Sequence, residues 1–97
     1  MLSYVSLFKF TDQGIKNIKG TVERTEQARA AIEKAGGRMP AIYWTQGQYD
    51  LVAVTDWPDE DAAMAFILQL GMAGNVRVET LRAFDAAAMQ RILAKVP

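Results

Sequence analysis

Residues 43–54 read YWTQGQYDLVAV, and the large apolar residues on both sides of the glycine are the starting point for the fold. Aromatic and β-branched residues run up to Gln46 and resume at Tyr49, which is typical of two strands joined by a tight turn. Glycine in the first position of a two-residue loop favours a type II′ hairpin turn. We therefore predict strands over residues 38–46 and 49–55, joined by Gly47-Gln48.

This turn also predicts which side chains share a face of the hairpin, because side chains alternate along a strand. One face is predicted to carry Trp44, Gln46, Tyr49 and Leu51. The other face is predicted to carry Tyr43, Thr45, Asp50 and Val52. Gly47 is expected to need a positive φ, which glycine adopts without steric cost.

The flanking sequence supplies the remaining elements of a sheet with helices. Before the hairpin we predict a strand at 3–10 and a helix that Thr21 caps and Gly36-Gly37 ends. After the hairpin we predict a helix that begins at Pro58 and ends at Gly71, followed by a strand at 76–84. A terminal helix at 86–95 is predicted to be capped by Asp85. The segment 11–20 contains Gly14 and Gly20 and is predicted as a loop or irregular turn. This order predicts one α+β domain over residues 1–97, a ferredoxin-like βαββαβ fold with an extra C-terminal helix.

Both faces of the predicted sheet are apolar. The first strand places Tyr4, Phe8 and Phe10 on one face and Val5 and Leu7 on the other, and LVAV at 51–54 is apolar without a break. Two helices cover only one face of such a sheet, and the other would expose a larger patch than monomers usually tolerate. We therefore expect a homodimer or higher homo-oligomer, packed sheet to sheet, with the tail helix as the rival cover.

The composition excludes several kinds of chemistry. The chain has no cysteine and no histidine, which excludes thiolate nucleophiles, Cys/His zinc sites and imidazole bases. We predict no metal and no cofactor. Eleven basic and eleven acidic residues cancel, and no basic face or polybasic run suggests nucleic acid or a membrane as a partner. The start MLSYVSLFKF lacks the basic region of a signal peptide, so we expect a cytoplasmic protein.

The aromatic hairpin is the best candidate for a ligand site. The predicted ligand-binding residues are Tyr43, Trp44, Gly47, Tyr49, Asp50, Asn75 and Arg82. Asp50 has two interpretations: it accepts hydrogen bonds from the turn, or it is a partly buried acid at a pocket mouth. Arg77 and Glu79 share a face of the last strand, and a structural or interfacial ion pair is predicted there.

Three segments together resemble one known family. FTDQGI at 10–15, YWTQGQYDLVAV at 43–54 and GNVRVETLRAF at 74–84 are similar to the GYD-domain family, small bacterial and archaeal proteins of largely unassigned function. Its signature stands here as Gly47, Tyr49 and Asp50. The resemblance implies a dimeric α+β barrel and supplies no catalytic residues. A weaker similarity of TQGQYDLVAV to the effector-binding domain of the Lrp/AsnC regulators implies a small effector near an oligomer interface, without the DNA-binding half.

Three functions stay open from the sequence. The first is a non-enzymatic homo-oligomer that binds a small metabolite at or near the sheet or subunit interface. The second is a cofactor-independent oxygenase or isomerase, in which Asp50 or Glu79 would be the base of an isomerase. The third is a purely structural assembly protein. Beyond these two candidate bases, the catalytic residues are unassigned.

Overall fold

Four antiparallel strands form a single sheet in the computed structural model, which describes residues 1–97. The strands are β1 (Leu2–Phe10), β2 (Arg38–Trp44), β3 (Leu51–Trp57) and β4 (Val76–Ala83), in the order β2-β3-β1-β4. The helices are α1 (Asp12–Lys16), α2 (Thr21–Lys34), α3 (Glu60–Ala73) and α4 (Ala86–Leu93), with a 3-10 turn at Ile18–Gly20. This arrangement confirms the predicted α+β, ferredoxin-like fold with an added C-terminal helix.

A glycine conformation and two aspartate caps set helix ends close to where the sequence predicts them. Gly36 follows α2 with a φ of +88°, the left-handed conformation that helix ends favour. Asp59 accepts a hydrogen bond from the backbone N–H of Ala62 at the start of α3. Asp85 does the same for Ala88 at the start of α4, as predicted.

Three details of the helices differ from the prediction. Helix α3 does not end at Gly71 but continues to Ala73, where Gly74 ends it with a φ of +82°. Thr21 does not cap α2, because it is already the first helical residue after the 3-10 turn; its hydroxyl accepts a hydrogen bond from the indole N–H of Trp44. The predicted loop at 11–20 contains α1 and the 3-10 turn, because the Thr11 side chain caps α1.

The hairpin turn is longer than predicted. The pairs Trp44–Leu51 and Tyr43–Val52 have the predicted register, but the ladder stops there and residues 45–50 form a loop. The predicted two-residue turn at Gly47-Gln48 is therefore wrong, although Gly47 has the expected positive φ, +102°. The cause is Asp50, whose carboxylate accepts from the Phe10 N–H at 2.8 Å and whose own N–H donates to the Phe8 carbonyl at 2.7 Å.

The sheet has one face against the helices and one face open. Helices α2 and α3 lie over the inner face, where the prediction placed Tyr4, Phe8 and Phe10. The opposite face, called the open face below, carries Val5, Leu7, Ala41, Tyr43, Val52, Val54 and Leu81. Its edge residues are the most exposed, with Tyr43 at 67% and Leu81 at 48%.

The packed core is small and lies at one end of the layer between helices and sheet. Five buried residues form it: Ile32, Met39, Ala53, Trp57 and Ala63. The rings of Trp57 and Phe66 add a tilted aromatic contact with centroids 5.4 Å apart. Three of the five core residues, Ile32, Met39 and Ala53, also border the space that the helices leave above the rest of the sheet.

Helix α4 does not cover the open face. None of its residues is buried, and it makes no extended contact with any strand. Its apolar side chains Met89, Ile92 and Leu93 are exposed. None of the helices has the length and apolar character needed to cross a membrane.

Candidate functional site

A cavity of about 370 Å³ occupies the space between α2, α3 and the inner face of the sheet. Cavities of this size are at the lower end of those that hold small molecules in proteins. Its walls are mostly apolar and include three phenylalanine rings. The main apolar lining residues are Phe8, Phe10, Ile32, Ile42, Leu51, Phe66 and Leu70.

Arg24 is the only charged residue that lines this cavity. It lies four and eight residues before Ala28 and Ile32, which puts the three side chains on one face of α2. The Nη1 of Arg24 donates a hydrogen bond to the carbonyl of Asn17 at 2.7 Å. The Nη2 is buried and has no hydrogen-bond partner. A buried charged donor without a partner costs about 1–3 kcal/mol or more of stability.

Three other polar side chains along the cavity wall have partners within the protein. The Thr55 hydroxyl accepts from the indole N–H of Trp57, and the Thr21 hydroxyl accepts from that of Trp44. The amide of Asn75 accepts from the Gln13 side chain at 3.0 Å. Arg24 therefore differs from these groups in keeping a buried donor unsatisfied.

A second, shallow depression of about 190 Å³ lies on the open face around Tyr49. The Tyr49 hydroxyl donates to a carboxylate oxygen of Glu79 at 2.6 Å, and the Lys9 Nζ lies 5.4 Å from the tyrosine ring centre. The hydrogen bond to Glu79, together with that residue's negative charge, raises the pKa of Tyr49 above its usual value. Arg77 also lines the depression, but it forms no ion pair with Glu79 within the chain, so the structural form of that prediction is wrong and the interfacial form stays a prediction.

Tyr49 and Trp44 lie on opposite faces of the sheet. The prediction that they share a face is wrong, because the loop turns Tyr49 onto the open face while Trp44 reaches α2 on the inner side. The extra loop residues release Tyr49 from the strict alternation of a strand.

The residues predicted as ligand contacts are distributed over several places. Only Asn75 lines the large cavity. The Trp44 side chain contacts Thr21 at the start of α2, Tyr43 lies on the open face, and Gly47 lies in the loop. Arg82 lies at the opposite end of the sheet, with its guanidinium 5.5 Å from the Tyr4 ring and 4.6 Å from the Phe84 ring. The structure thus does not gather the seven residues into one site.

The sequence prediction missed Arg24. The sequence feature that indicates its position is the spacing of Arg24, Ala28 and Ile32, which places a charged residue on the apolar face of a helix. No group of three or more aspartate, glutamate, histidine or cysteine side chains lies close enough together to hold a metal ion.

The sequence pattern of the GYD domain matches residues 4–93. This chain belongs to the GYD-domain family. No curated protein matches it. Among solved structures, it is similar to the crystal structure of TTHA0845 from Thermus thermophilus, at 26% sequence identity and a TM-score of 0.55. The match covers 89% of this chain and 96% of that one, so the two chains share the fold over nearly their whole length.

The signature residues of this GYD domain attach the β2–β3 loop to the sheet. Asp50 bonds to the backbone of β1, and Tyr49 bonds to Glu79 on β4. Gly47 provides the positive φ between them and the end of β2. Each signature residue therefore has a structural role in this loop.

Proposed function

We propose that this GYD domain is a non-enzymatic module that binds a small, largely apolar metabolite between α2, α3 and the sheet. The observation that carries the proposal is the cavity of about 370 Å³ with its phenylalanine walls. The pocket is open to solvent on one side, so its apolar walls face water, and a ligand that covers them removes that apolar surface from water. A bound molecule would complete a core that the chain's own side chains leave unfilled.

The lining residues favour binding over acid–base catalysis. Arg24 is the only ionisable side chain among them, and an arginine does not release its proton near neutral pH. The two carboxylates considered as bases of an isomerase are Asp50, which bonds to Phe10, and Glu79, which lies on the open face. Because neither lines the cavity, a ligand there has no general base within reach.

Filling the cavity tests this proposal. In Ala28→Leu the added side chain points from α2 into the cavity, so we expect unfolding to require about 0.5–2 kcal/mol more and ligand affinity to fall at least about tenfold. Native mass spectrometry of protein purified from its own host would show a retained small molecule in the wild type and its loss in the variant.

Ala30→Leu is the matched control, because Ala30 is exposed on the same helix and does not line the cavity. It should keep the bound molecule. Protein that carries no small molecule, and whose Tm no metabolite raises, would contradict the proposal.

A second proposal concerns assembly: the open face packs against the open face of a second copy. It is supported by a continuous apolar surface around Val5, Leu7, Val52 and Val54, which α4 does not cover. The two copies would form the dimeric α+β barrel, and the Tyr49 depression, the other predicted ligand location, would lie within the interface. Sedimentation equilibrium at micromolar concentration tests the assembly, and a monomer throughout would contradict it. The cytoplasmic location stays a prediction.

A further inference from the structure

Arg24 is held in place by the protein but is left electrically unpaired. Its Nη1 bonds to the Asn17 carbonyl just before the 3-10 turn, which fixes the guanidinium at the cavity wall. The chain's two ion pairs are Arg29–Glu26 and Arg38–Asp56, so no carboxylate lies within 4.0 Å of Arg24. The positive charge at this wall has no anionic partner in the protein.

The start of α2 adds to the positive character of the same place. Helix α2 begins at Thr21 without a side-chain cap, and both Thr21 and Arg24 line the cavity. The uncapped first turn carries the positive end of the helix dipole. Because the Thr21 N–H already donates to the Ile18 carbonyl of the preceding 3-10 turn, this dipole is a minor addition, and the unpaired guanidinium is the group that an anion near Arg24 would meet.

We propose that the cavity selects organic anions, molecules with a carboxylate at one end and an apolar body, and that the guanidinium of Arg24 at the cavity wall binds the carboxylate. This inference rests on the proposed function, because it names the ligand class for the same cavity. The phenylalanine-lined remainder of the space holds the apolar body. At roughly 30 Å³ per non-hydrogen atom, a cavity of about 370 Å³ takes a ligand of about a dozen such atoms.

A pair of probes that differ only in the head group tests the inference. Octanoate and octanol have the same apolar body, and isothermal titration calorimetry measures the binding of each to the full-length chain. Hydrogen bonds to charged groups are typically worth about 1.5–3 kcal/mol, which corresponds to roughly 10- to 150-fold in affinity. We expect octanoate to bind the wild type at least about tenfold tighter than octanol does. Added salt should weaken the binding of octanoate and leave the binding of octanol unchanged.

Arg24→Gln should remove this preference by weakening octanoate about tenfold or more while leaving octanol within about twofold. Arg29→Gln is the matched control, because Arg29 lies on the same helix but bonds to the Met39 carbonyl and does not line the cavity. It should bind both probes as the wild type does. Circular dichroism and the Tm confirm that each variant is folded, and we expect no loss of Tm in Arg24→Gln because an unpaired buried charge is removed.

The outcomes separate the two proposals. Equal or tighter binding of octanol by the wild type would overturn the selection of anions while leaving small-molecule binding in place. Binding of neither probe would contradict the proposed function itself. An Arg24→Gln variant that keeps the full preference for octanoate would show that another group binds the carboxylate and would overturn the role of Arg24.

Discussion

Asp56 is the one buried carboxylate of the chain, and its surroundings make folding sensitive to acid. The Ser3 hydroxyl donates to it at 2.6 Å, and the Arg38 Nε donates at 2.7 Å from the neighbouring strand. The hydrogen bond from Ser3, with that of Arg38 and its charge, lowers the pKa of Asp56 below its usual value. The three residues form a polar row across β1, β3 and β2 at one end of the open face.

A lowered pKa in the folded state stabilises the fold at every pH above the unfolded value, and the stabilisation is lost as pH falls through the folded value. We therefore expect the free energy of unfolding to decrease from about pH 5 downwards. Asp56→Asn should cost about 1–2 kcal/mol at neutral pH, and its urea-unfolding curve should approach that of the wild type in strong acid. The control Glu33→Gln changes an exposed carboxylate on α2 and should follow the wild-type profile. Parallel profiles for Asp56→Asn and the wild type would show that Asp56 does not cause the acid sensitivity.

At the level of elements, two glycines inside helices have opposite requirements. A Cβ on Gly14 of α1 would lie 2.0 Å from the backbone oxygen of Asn75, so α1 packs against the start of β4 only without a side chain. A Cβ on Gly71 of α3 would meet nothing within 4 Å. The first glycine is required by packing, and the second only weakens its helix.

Alanine at these two positions should therefore have opposite effects on stability. Gly14→Ala should destabilise the chain by about 1–3 kcal/mol, because the clash is with backbone that cannot move aside easily. Gly71→Ala should stabilise it by about 0.5–1 kcal/mol, the usual gain over glycine in a helix interior. Chemical denaturation measures both changes. A stabilised Gly14→Ala would mean that α1 does not pack against β4 as described.

These elements also show how far the sequence predicts the molecule. The strands, the two long helices, the faces of β1 and the cap at Asp85 depend on local periodicity and local hydrogen bonds, and the sequence predicts them. It does not predict the loop at 45–50, because that loop depends on the bond between Asp50 and Phe10, which are 40 residues apart in the chain. The sequence does not predict the cavity either, because its walls come from residues far apart in the chain. Arg24 shows its spacing in the sequence, but whether a helical arginine is paired depends on elements far away in the chain.

The whole molecule is a flat slab of about 51 × 31 × 19 Å, with a cavity on one side of the sheet and an apolar surface on the other. The two proposed contacts of the molecule, with a small anion and with a second copy, therefore use opposite faces of the same four strands. Interfaces of stable dimers bury about 800 Å² on each partner, an area comparable with one face of a small sheet. This separation of faces predicts that assembly and ligand binding can be disrupted independently.

Leu81→Lys tests assembly at this scale. Leu81 is 48% exposed on β4, so a lysine fits the isolated chain but brings a charge into the proposed sheet-to-sheet contact. We expect sedimentation to show a dimer for the wild type and a dimer affinity at least about a hundredfold weaker for the variant, because each lysine would bring an unpaired charge into the contact and a two-fold interface contains the residue twice. Met64→Lys is the matched control, because Met64 is 53% exposed on α3, away from the open face, and should leave the dimer intact.

Octanoate should bind the Leu81→Lys monomer as it binds the wild type, since Leu81 does not line the cavity. Equal molar masses for the wild type and Leu81→Lys would show that the open face is not the contact between copies.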